Sequence, residues 1–456
     1  MKTLAVILAA GQGTRMRSTL PKVLHPLLGR PMVFYGIEAA QEVTNEIPVL
    51  VTGHAPDDVR QLVGDNARYI IQEQQLGTGH ALQQAEPLLR GESDLILVIY
   101  ADMPLITPAT LQRVMQAHIQ SSGQELDVAP ITLLTLLSSE ARGFGRVLRD
   151  ENGNVQAIVE EADASPEQLR SLELNASVYC FTADWLWQAL PRIQASPIGE
   201  YYLTDLVEIA VADGLPVKAL TLEDADEAIG INTRVHLAEA EAVLRRRINR
   251  NWMLGGVTLI EPTSTYIEAQ VEIGPDTVIW PNTYLHGATR IGTGCTIGPN
   301  VIIRDTHIGD RCQVVFSFME KALLEDEVEV GPFARLRKGA HLAQGVHMGN
   351  FGEIKNSFLG PGTKMGHFSY IGDATIGAEV NIGAGTVTCN FDGKKKHSTE
   401  IGAGAFIGSD TMLVAPVKIG EGASTGAGAV VTKDVPANTL AVGMPARAIR
   451  KRKPSD

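Results

Sequence analysis

Two basic side chains follow a glycine-rich turn near the start of the chain, in the stretch VILAAGQGTRMRSTLPKVLHPL. Gly11 and Gly13 let backbone N–H groups approach an anion, and Arg15 and Lys22 can offset its charge. The turn is not a dinucleotide fingerprint, because Met16 stands where the third glycine should be, and no Gly-Lys-Ser/Thr closes it as a Walker loop. A tight strand-to-helix turn without a ligand would use the same glycines. With the two cations added, the stretch favours a nucleoside triphosphate as ligand.

Two further residues are candidates for chemistry. Asp102, in YADMP, follows an apolar run, and its carboxylate suits Mg²⁺, which prefers oxygen ligands. A carboxylate at the end of a strand also caps the strand or forms a turn. His367, in MGHFSY, is a residue type that removes a proton from an amine, but a histidine is also common as a structural or surface residue.

The glycine turn and Asp102 must be positioned by strands of an α/β sheet. The runs LAVILAA, IPVLVTG, DLILVIYAD and VAPITLLTLL are continuously apolar, which is typical of strands covered on both faces. Helical patterns alternate with them. Residues 1–232 are therefore predicted to form a Rossmann-like, doubly wound domain, whose ligands bind at the carboxyl ends of the strands.

A long helix is predicted next, in a linker over residues 233–256. Leu237, Leu244 and Ile248 fall on one stripe, with Asn232 or Thr233 as the cap and two glycines as the stop. The helix carries a basic run that is either a solvated face or a contact for phosphate or protein, namely Arg245, Arg246, Arg247 and Arg250.

Residues 257–456 have an apolar residue at every sixth position, as in Ile267, Ile273, Ile279, Leu285, Ile291, Ile297 and Ile303. A period of six fits neither a helix nor an α/β unit and predicts a parallel β-helix of hexapeptide repeats. The period breaks near residues 315–329 and 389–400, where we expect loops that project from the coil.

Composition limits the partners. A net charge of −13 over 456 residues excludes a large nucleic-acid or anionic-membrane surface. The four cysteines lack CxxC spacing, so neither a zinc site nor a disulfide framework is indicated. The apolar residues 1–10 are too short for a membrane span, and no signal-peptide cleavage pattern follows them. We therefore expect a cytoplasmic protein without membrane insertion.

A family resemblance joins these observations. LAAGQGTRM followed by LPK resembles the signature of the sugar-nucleotide pyrophosphorylases, and QLGTGHA is similar to their uridylyl-transferring members. The repeat region contains GPFARLR, GHFSYIGDATIG and NIGAGTVTCNFDG. The chain thus resembles the bifunctional bacterial N-acetylglucosamine-1-phosphate uridyltransferases and glucosamine-1-phosphate N-acetyltransferases. The resemblance covers nearly the whole chain and implies an α/β fold in which the β-helix is left-handed.

The resemblance implies that the first domain joins N-acetylglucosamine 1-phosphate to UTP with Mg²⁺ and releases pyrophosphate. Arg15 and Lys22 would act on the phosphates, and Asp102 and Asn232 would be the metal ligands. Binding of the nucleotide and the sugar is implied for Leu8, Ala9, Ala10, Gly11, Lys22, Gln72, Gly77, Thr78, Tyr100, Gly145, Glu160, Asn175 and Asn232. The chain departs from the family pattern at Ala101, Phe144 and Ala176, which bears on sugar specificity.

The resemblance also implies that the β-helix transfers acetyl from acetyl-CoA to glucosamine 1-phosphate, with His367 as the base. The acceptor would be bound by Arg337, Lys355, Tyr370, Asn381, Asn390, Phe391 and Lys396, and acetyl-CoA by Ala384, Ser409, Ala427 and Arg447. Phe391 stands where the family commonly has tyrosine, and Met444 occupies the register of a family arginine, for which Arg447 is a substitute. The resemblance further implies that the chain associates as a homotrimer.

Other functions are compatible with parts of the sequence. A monofunctional sugar-1-phosphate nucleotidylyltransferase would use its β-helix only to oligomerise or to sense ligands. A zinc hydratase would hold metal with three histidines, for which the candidates His307, His341, His347 and His367 are not closely paired. A non-enzymatic scaffold would have lost the charged groups that this chain retains.

Overall fold

The computed structural model describes residues 1–121 and 129–451. Its contacts divide the chain into two compact units, Met1–Leu244 and Arg245–Asp456. The end of the basic tail, residues 452–456, lies outside the described residues. None of the helices in the described ranges combines the length and apolar content that crossing a bilayer requires.

A mixed sheet forms the centre of the first unit, and its strand order is β11-β7-β10-β6-β1-β4-β5. Strands β1, β4, β5 and β6 run parallel, whereas β10 is antiparallel to β6 and β7, and β8 and β9 form a side ladder on β10. The strands are β1 (Thr3–Ala9), β2 (Pro26–Leu27), β3 (Arg30–Pro31), β4 (Val49–Thr52), β5 (Arg68–Ile71), β6 (Leu95–Tyr100), β7 (Ile131–Leu137), β8 (Arg146–Arg149), β9 (Val155–Val159), β10 (Glu173–Thr182) and β11 (Val217–Thr221).

Helices cover both faces of this sheet, which confirms the predicted α/β fold. They are α1 (Val33–Thr44), α2 (Pro56–Val63), α3 (Thr78–Gln83), α4 (Glu86–Leu89), α5 (Pro108–Ser121), α6 (Ala183–Ala189) and α7 (Asp205–Ala212). Every residue of β1 is buried, because alternate side chains of this strand enter two separate apolar cores. This burial explains the continuously apolar run in the sequence.

The predicted long helix is α8 (Arg234–Leu254). Leu237 and Leu244 pack against the core of the first unit, and Ile248 and Trp252 pack against that of the second. Within the second unit the guanidinium of Arg245 lies 4.4 Å from the ring centroid of Tyr266, so this member of the basic run makes a cation–π contact.

The second unit is the predicted left-handed parallel β-helix, whose coils each contribute a strand to three sheets. Sheet I contains β12 (Thr258–Leu259), β15 (Val278–Ile279), β18 (Thr296–Ile297), β21 (Gln313–Val314), β24 (Glu329–Val330), β27 (His347–Met348), β30 (Lys364–Met365), β33 (Asn381–Ile382), β36 (Phe406–Ile407), β39 (Ser424–Thr425), β41 (Thr439–Gly443) and β42 (Ala446–Lys451). Sheet II contains β13 (Thr265–Ile267), β16 (Thr283–His286), β19 (Val301–Arg304), β22 (Phe318–Glu320), β25 (Arg335–Leu336), β28 (Gly352–Lys355), β31 (Ser369–Gly372), β34 (Val387–Cys389), β37 (Met412–Val414) and β40 (Val430–Val431). Sheet III contains β14 (Glu272–Ile273), β17 (Arg290–Ile291), β20 (His307–Ile308), β23 (Leu323–Leu324), β26 (Ala340–Leu342), β29 (Ser357–Leu359), β32 (Ala374–Ile376), β35 (Thr399–Ile401) and β38 (Val417–Ile419).

The side chains of the six-residue repeat stack inside the prism and form one core from Val257 to Ala441. One of the two expected projecting loops is present: residues 390–398 leave the coil between β34 and β35 and form a short hairpin closed by the Phe391–Lys396 bridge. The other expectation was wrong. Residues 315–329 contain β22 and β23 and remain in the coil, which is shortened: Gln313 pairs with Glu329, a step of 16 residues, whereas Val278 pairs with Thr296, a step of 18. The period breaks there because the turns are tighter.

Candidate active sites

A cavity of about 480 Å³ opens at the carboxyl ends of β1 and β6 in the first unit. This is the position that a parallel α/β sheet favours for ligands. The cavity is lined by Leu8, Ala9, Ala10, Gly11, Gln12, Lys22, Val23, Gln72, Gln75, Gly77, Thr78, Ala81, Tyr100, Asp102 and Glu200. The structure thus brings together most of the residues that the sequence predicted for nucleotide binding.

Lys22 joins the two predicted metal ligands. Its Nζ donates hydrogen bonds to Oδ2 of Asp102 at 2.5 Å and to Oδ1 of Asn232 at 3.1 Å. Gly13 permits this placement, because its φ of 64° is in the left-handed region and a Cβ atom there would lie 2.6 Å from Cβ of Lys22. A carboxylate oxygen and an amide oxygen therefore converge on one cationic atom, and such oxygen donors fit Mg²⁺.

One wall of the cavity is built around a sharp turn before α3. Gly77 has φ of 101°, and a Cβ atom there would lie 2.6 Å from the carbonyl oxygen of Tyr201. The hydroxyl of Thr78 accepts a hydrogen bond from the backbone N–H of Leu203 at 3.0 Å, which fixes the start of the helix. Burial raises the pKa of the Tyr100 phenol, so this residue stays neutral where it meets the cavity.

The predicted sugar-binding residues form a neighbouring group. The backbone N–H of Asn175 donates to the carbonyl oxygen of Gly145 at 2.9 Å, and a Cβ atom on Gly145 would lie 3.5 Å from Oε2 of Glu160. The hydroxyl of Thr204 donates to Oε1 of Glu160 at 3.0 Å. Burial raises the pKa of the Glu160 carboxyl despite this hydrogen bond. A second, smaller cavity of about 160 Å³ shares Tyr100 and Asp102 with the first and is lined also by Met103, Arg142, Gly143, Phe144, Ser177, Gly230 and Asn232.

Arg15 is placed differently from its predicted partner Lys22. It is an exposed residue of the 3₁₀ turn Thr14–Met16 and does not line either cavity. Its predicted action on the phosphates stays a prediction, and it requires the side chain to reach in from the rim.

In the second unit, three predicted acceptor ligands, Arg337, Lys355 and Lys396, form a cationic cluster, and a fourth, Tyr370, lies in the next coil. Arg337 directly follows β25, and Lys355 is the last residue of β28, in the adjacent coil of sheet II. Tyr370 is on β31, in the coil after that. The ammonium of Lys396, on the projecting hairpin, lowers the pKa of the Lys355 ammonium, and Arg337 contributes to the same shift. Because like charges lie close together here, the cluster is suited to an anion such as a sugar phosphate.

His367 lies at the corner between sheets I and II, exposed to solvent. The equivalent corner position in the next three coils is held by Ala384, Ser409 and Ala427. The register of sheet I shows this, because the residues three positions earlier pair in turn: Lys364 with Asn381, Asn381 with Phe406, and Phe406 with Ser424. Three of the four predicted acetyl-CoA contacts therefore form one line of small residues that ends at the predicted base, and Arg447 lies outside it.

The hairpin next to this line is fixed by a carboxylate. Asp373, on the coil, accepts hydrogen bonds from the amides of Asn356 and Asn390, both at 2.6 Å, and its Oδ2 lies 4.0 Å from Nζ of Lys396. Asn390 is buried, whereas Phe391 is 61% exposed. Asn381 lies on β33 in sheet I, and Arg447 lies on the terminal strand β42, paired with Val442.

Several side chains in these sites were not predicted from the sequence. Gln12, Gln75 and Glu200 line the large cavity. Glu353 accepts a hydrogen bond from Arg337 at 2.9 Å and pairs in register with Tyr370. The alternation on β28 was a usable signal for Glu353, because it lies two residues before Lys355 and so faces the same side of the strand.

The histidine pattern of a zinc hydratase does not form among the described residues, which contain no group of three His, Cys, Asp or Glu side chains able to hold a metal. His341 and His347 instead pair with Glu325 and Glu329 at 2.7 and 2.8 Å.

Comparisons with known proteins agree with this division. Residues 5–131 match the MobA-like NTP transferase domain, and residues 270–305 and 398–433 match the bacterial transferase hexapeptide (six repeats). Fold and sites thus define a nucleotidyltransferase joined to a hexapeptide-repeat transferase.

Similar proteins cover both units. The chain is 49% identical to the bifunctional protein GlmU of Heliobacterium modesticaldum, over 97% of this chain and 95% of that protein. It is 47% identical to the bifunctional protein GlmU of Trichlorobacter lovleyi, over 96% and 95% of the two chains, and 43% identical to that of Geobacillus sp. strain WCH70, over 99% and 97%. The chain belongs to the GlmU family of bifunctional proteins. It is an enzyme of UDP-N-acetylglucosamine synthesis with uridyltransferase and acetyltransferase activities, and a β-helix that only oligomerises or senses ligands is not favoured.

Proposed function

We propose that the large cavity binds UTP with Mg²⁺ and that Lys22, Asp102 and Asn232 form its reacting end. The observation that carries this proposal is the convergence of the Asp102 and Asn232 oxygens on the Lys22 ammonium. Bound there, Mg²⁺ would neutralise the phosphate charge that develops in the reaction. With Asp102 and Asn232 holding the metal, Lys22 would contact the phosphates in place of these two oxygens.

The residues of the first unit act by holding and orienting their substrates. N-acetylglucosamine 1-phosphate attacks the α-phosphorus of UTP and pyrophosphate leaves, a displacement that needs charge neutralisation and alignment more than a protein nucleophile. The glycine turn supplies N–H groups to the triphosphate, and Arg15 reaches it from the rim. Gln72, Gly77 and Thr78 hold the uridine part, and Gly145, Glu160 and Asn175 hold the sugar.

The second site takes glucosamine 1-phosphate and acetyl-CoA. Arg337, Lys355 and Lys396 receive the sugar phosphate, which relieves the repulsion between the two ammonium groups. His367 takes one proton from the sugar ammonium, and the free amine attacks the thioester carbonyl. The C–S bond then breaks, and the CoA thiolate leaves and takes the second proton that the nitrogen loses. The line of Ala384, Ser409 and Ala427 leaves room for the pantetheine arm beside the coil, and Arg447 meets the CoA phosphates.

We further propose that the chain assembles as a homotrimer through its β-helix. Phe316, Phe333 and Phe351 lie in successive coils and are 39%, 55% and 61% exposed. The first two rings are tilted with centroids 5.7 Å apart, and the last two are stacked with centroids 5.3 Å apart. A ladder of exposed aromatic rings is the kind of surface that association covers. Light scattering on the full chain tests this, with three times the monomer mass expected.

We place both activities in the cytoplasm, where UTP and acetyl-CoA are made.

One assay tests the combined function. The full chain is incubated with glucosamine 1-phosphate, acetyl-CoA, UTP and Mg²⁺, and the nucleotide sugar is identified by mass. We expect acetylation to come first and UDP-N-acetylglucosamine to be the product. Formation of UDP-glucosamine with no consumption of acetyl-CoA would contradict the proposal.

A further inference from the structure

The side chain of Gln72 is 2% exposed, and both of its amide hydrogens are used inside the protein. Nε2 donates to the carbonyl oxygen of Gly77 at 3.0 Å and faces Nδ1 of His80 at 2.9 Å. The Gly77 carbonyl can only accept, so it fixes which end of the amide is nitrogen. A reversed amide would place two oxygens at that distance. Among the described residues none donates to Oε1 of Gln72, and Gln72 lines the cavity.

The tautomer of His80 follows from this arrangement. Since the Gln72 nitrogen donates to Nδ1, the ring carries its hydrogen on Nε2. On that side lies Gln84, whose Nε2 is 3.2 Å from the ring nitrogen and 3.3 Å from the His80 carbonyl oxygen. A neutral ring cannot accept at both nitrogens. Gln72 is buried and held by Gly77, whereas Gln84 is only half-buried and its nitrogen also donates to the His80 carbonyl oxygen, so the Gln72 nitrogen is the one that donates to the ring.

We propose that His80 is a positioning residue for nucleobase selection. Together with the Gly77 carbonyl it holds the nitrogen of the Gln72 amide, which leaves the Gln72 amide oxygen to contact the base, so that the cavity prefers uracil over cytosine. This inference rests on the proposed function, in which Gln72 contacts the uridine part. His80 does not line the cavity and acts through Gln72.

The chemistry of the two pyrimidines explains the selection. Uracil presents an N3–H donor, whereas cytosine presents an unprotonated N3 with a lone pair. The fixed Gln72 oxygen accepts a hydrogen bond from N3–H of uracil. In cytosine it faces the lone pair of N3, so that two acceptors oppose each other. Because Gln72 is buried, the mismatch is not repaired by water, and a site built around one hydrogen-bond pattern rejects the opposite one strongly.

The test compares the ratio of kcat/KM for UTP to that for CTP in three variants of the full chain. His80→Leu removes one of the two acceptors that hold the Gln72 nitrogen and leaves only the Gly77 carbonyl, so reversing the amide costs less, and we expect the ratio to fall by about tenfold. His80→Asn keeps an acceptor near the position of Nδ1 and should retain most of the preference. Gln84→Ala removes the neighbour on the opposite side of the ring and is the matched control, with an unchanged ratio.

The outcomes separate this inference from the proposed function. If His80→Leu and His80→Asn change the ratio equally, or if neither changes it, the positioning role is wrong. Gln72→Ala serves as the reference. If it leaves the KM for UTP unaltered, then the proposed contact of Gln72 with the base is itself wrong. Loss of UTP use in Gln72→Ala together with an unchanged ratio in His80→Leu would overturn the inference alone. Acetyl transfer by each variant reports that the chain is folded.

Discussion

The ammonium of Lys22 lies 2.5 Å from the carboxylate of Asp102, although the two residues are 80 positions apart in the sequence. Lys22 is held on its 3₁₀ turn by the close approach of Gly13, and Asp102 follows the buried strand β6. The contact joins the glycine turn at the end of β1 to the residues that follow β6. It is the centre of the proposed uridylyl-transfer site.

Replacing Lys22 should damage only uridylyl transfer. Lys22→Gln removes the cation that offsets the phosphate charge, and we expect kcat/KM for pyrophosphate release to fall about a hundredfold or more. Arg17→Gln is the matched control, because Arg17 is an exposed cation on the same loop. Equal losses in the two variants would mean that general positive charge, rather than the Lys22 position, is what matters.

The cationic cluster predicts a pH dependence for the acetyltransferase. The pKa of Lys355 is lowered, chiefly by Lys396, so its ammonium loses the proton at a lower pH than an ordinary lysine. The affinity for glucosamine 1-phosphate should therefore fall as the pH rises through that lowered pKa. Lys396→Gln removes the main cause of the shift and should move this fall to higher pH. The measurement is KM for the acceptor against pH, with Lys395→Gln as a control on the same hairpin. An unmoved profile in Lys396→Gln would refute the coupling.

Asp373 should control the hairpin that carries Asn390 and Lys396. Asp373→Ala removes the acceptor shared by Asn356 and Asn390, and we expect the acetyl-transfer kcat/KM to fall about tenfold, since a charged hydrogen-bond partner is lost. Asp373→Asn keeps one acceptor oxygen and should lose less. Uridylyl transfer should not change in either variant. Unaltered acetyl transfer in Asp373→Ala would show that the hairpin is positioned by other contacts.

The raised pKa of Glu160 predicts how the free energy of unfolding varies with pH. Burial raises its pKa, so folding favours the protonated form, and the stability that this group contributes is present below the unfolded pKa and lost as the pH rises through the folded value. Glu160→Gln removes this loss and can still accept the hydrogen bond from Thr204. We expect the variant to melt at a higher temperature than the unaltered chain at pH about 8 and at the same temperature at pH about 4. Calorimetry of both proteins at the two pH values checks this, and a variant that melts lower at the higher pH would contradict it.

The fold could be predicted further from the sequence than the site could. The six-residue period from Ile267 onward and the apolar run of β1 each depend on local side-chain alternation, which a sequence displays directly. Residues 315–329 misled the prediction because a coil shortened by tighter turns breaks the period in the same way as a loop does. Strand pairing alone reveals the shortening.

The contacts within the sites depend on chain segments that the sequence does not show to be neighbours. The family pattern indicated Lys22, Asp102 and Asn232 separately, but not that one ammonium meets both oxygens. Glu353 was missed for the same reason, since its partner Arg337 lies in the preceding coil. His80 was part of a recognised motif, yet its role depends on the orientation of a buried amide, which only the fold determines.

The proposed function requires two independent sites on this chain, and one comparison tests this requirement directly. Both activities are measured on the same preparation of Asp102→Ala, using pyrophosphate release for uridylyl transfer and free CoA thiol for acetyl transfer. We predict that uridylyl transfer is lost and that acetyl transfer proceeds at the rate of the unaltered chain. Loss of both activities in a folded variant, or retention of uridylyl transfer, would contradict the account.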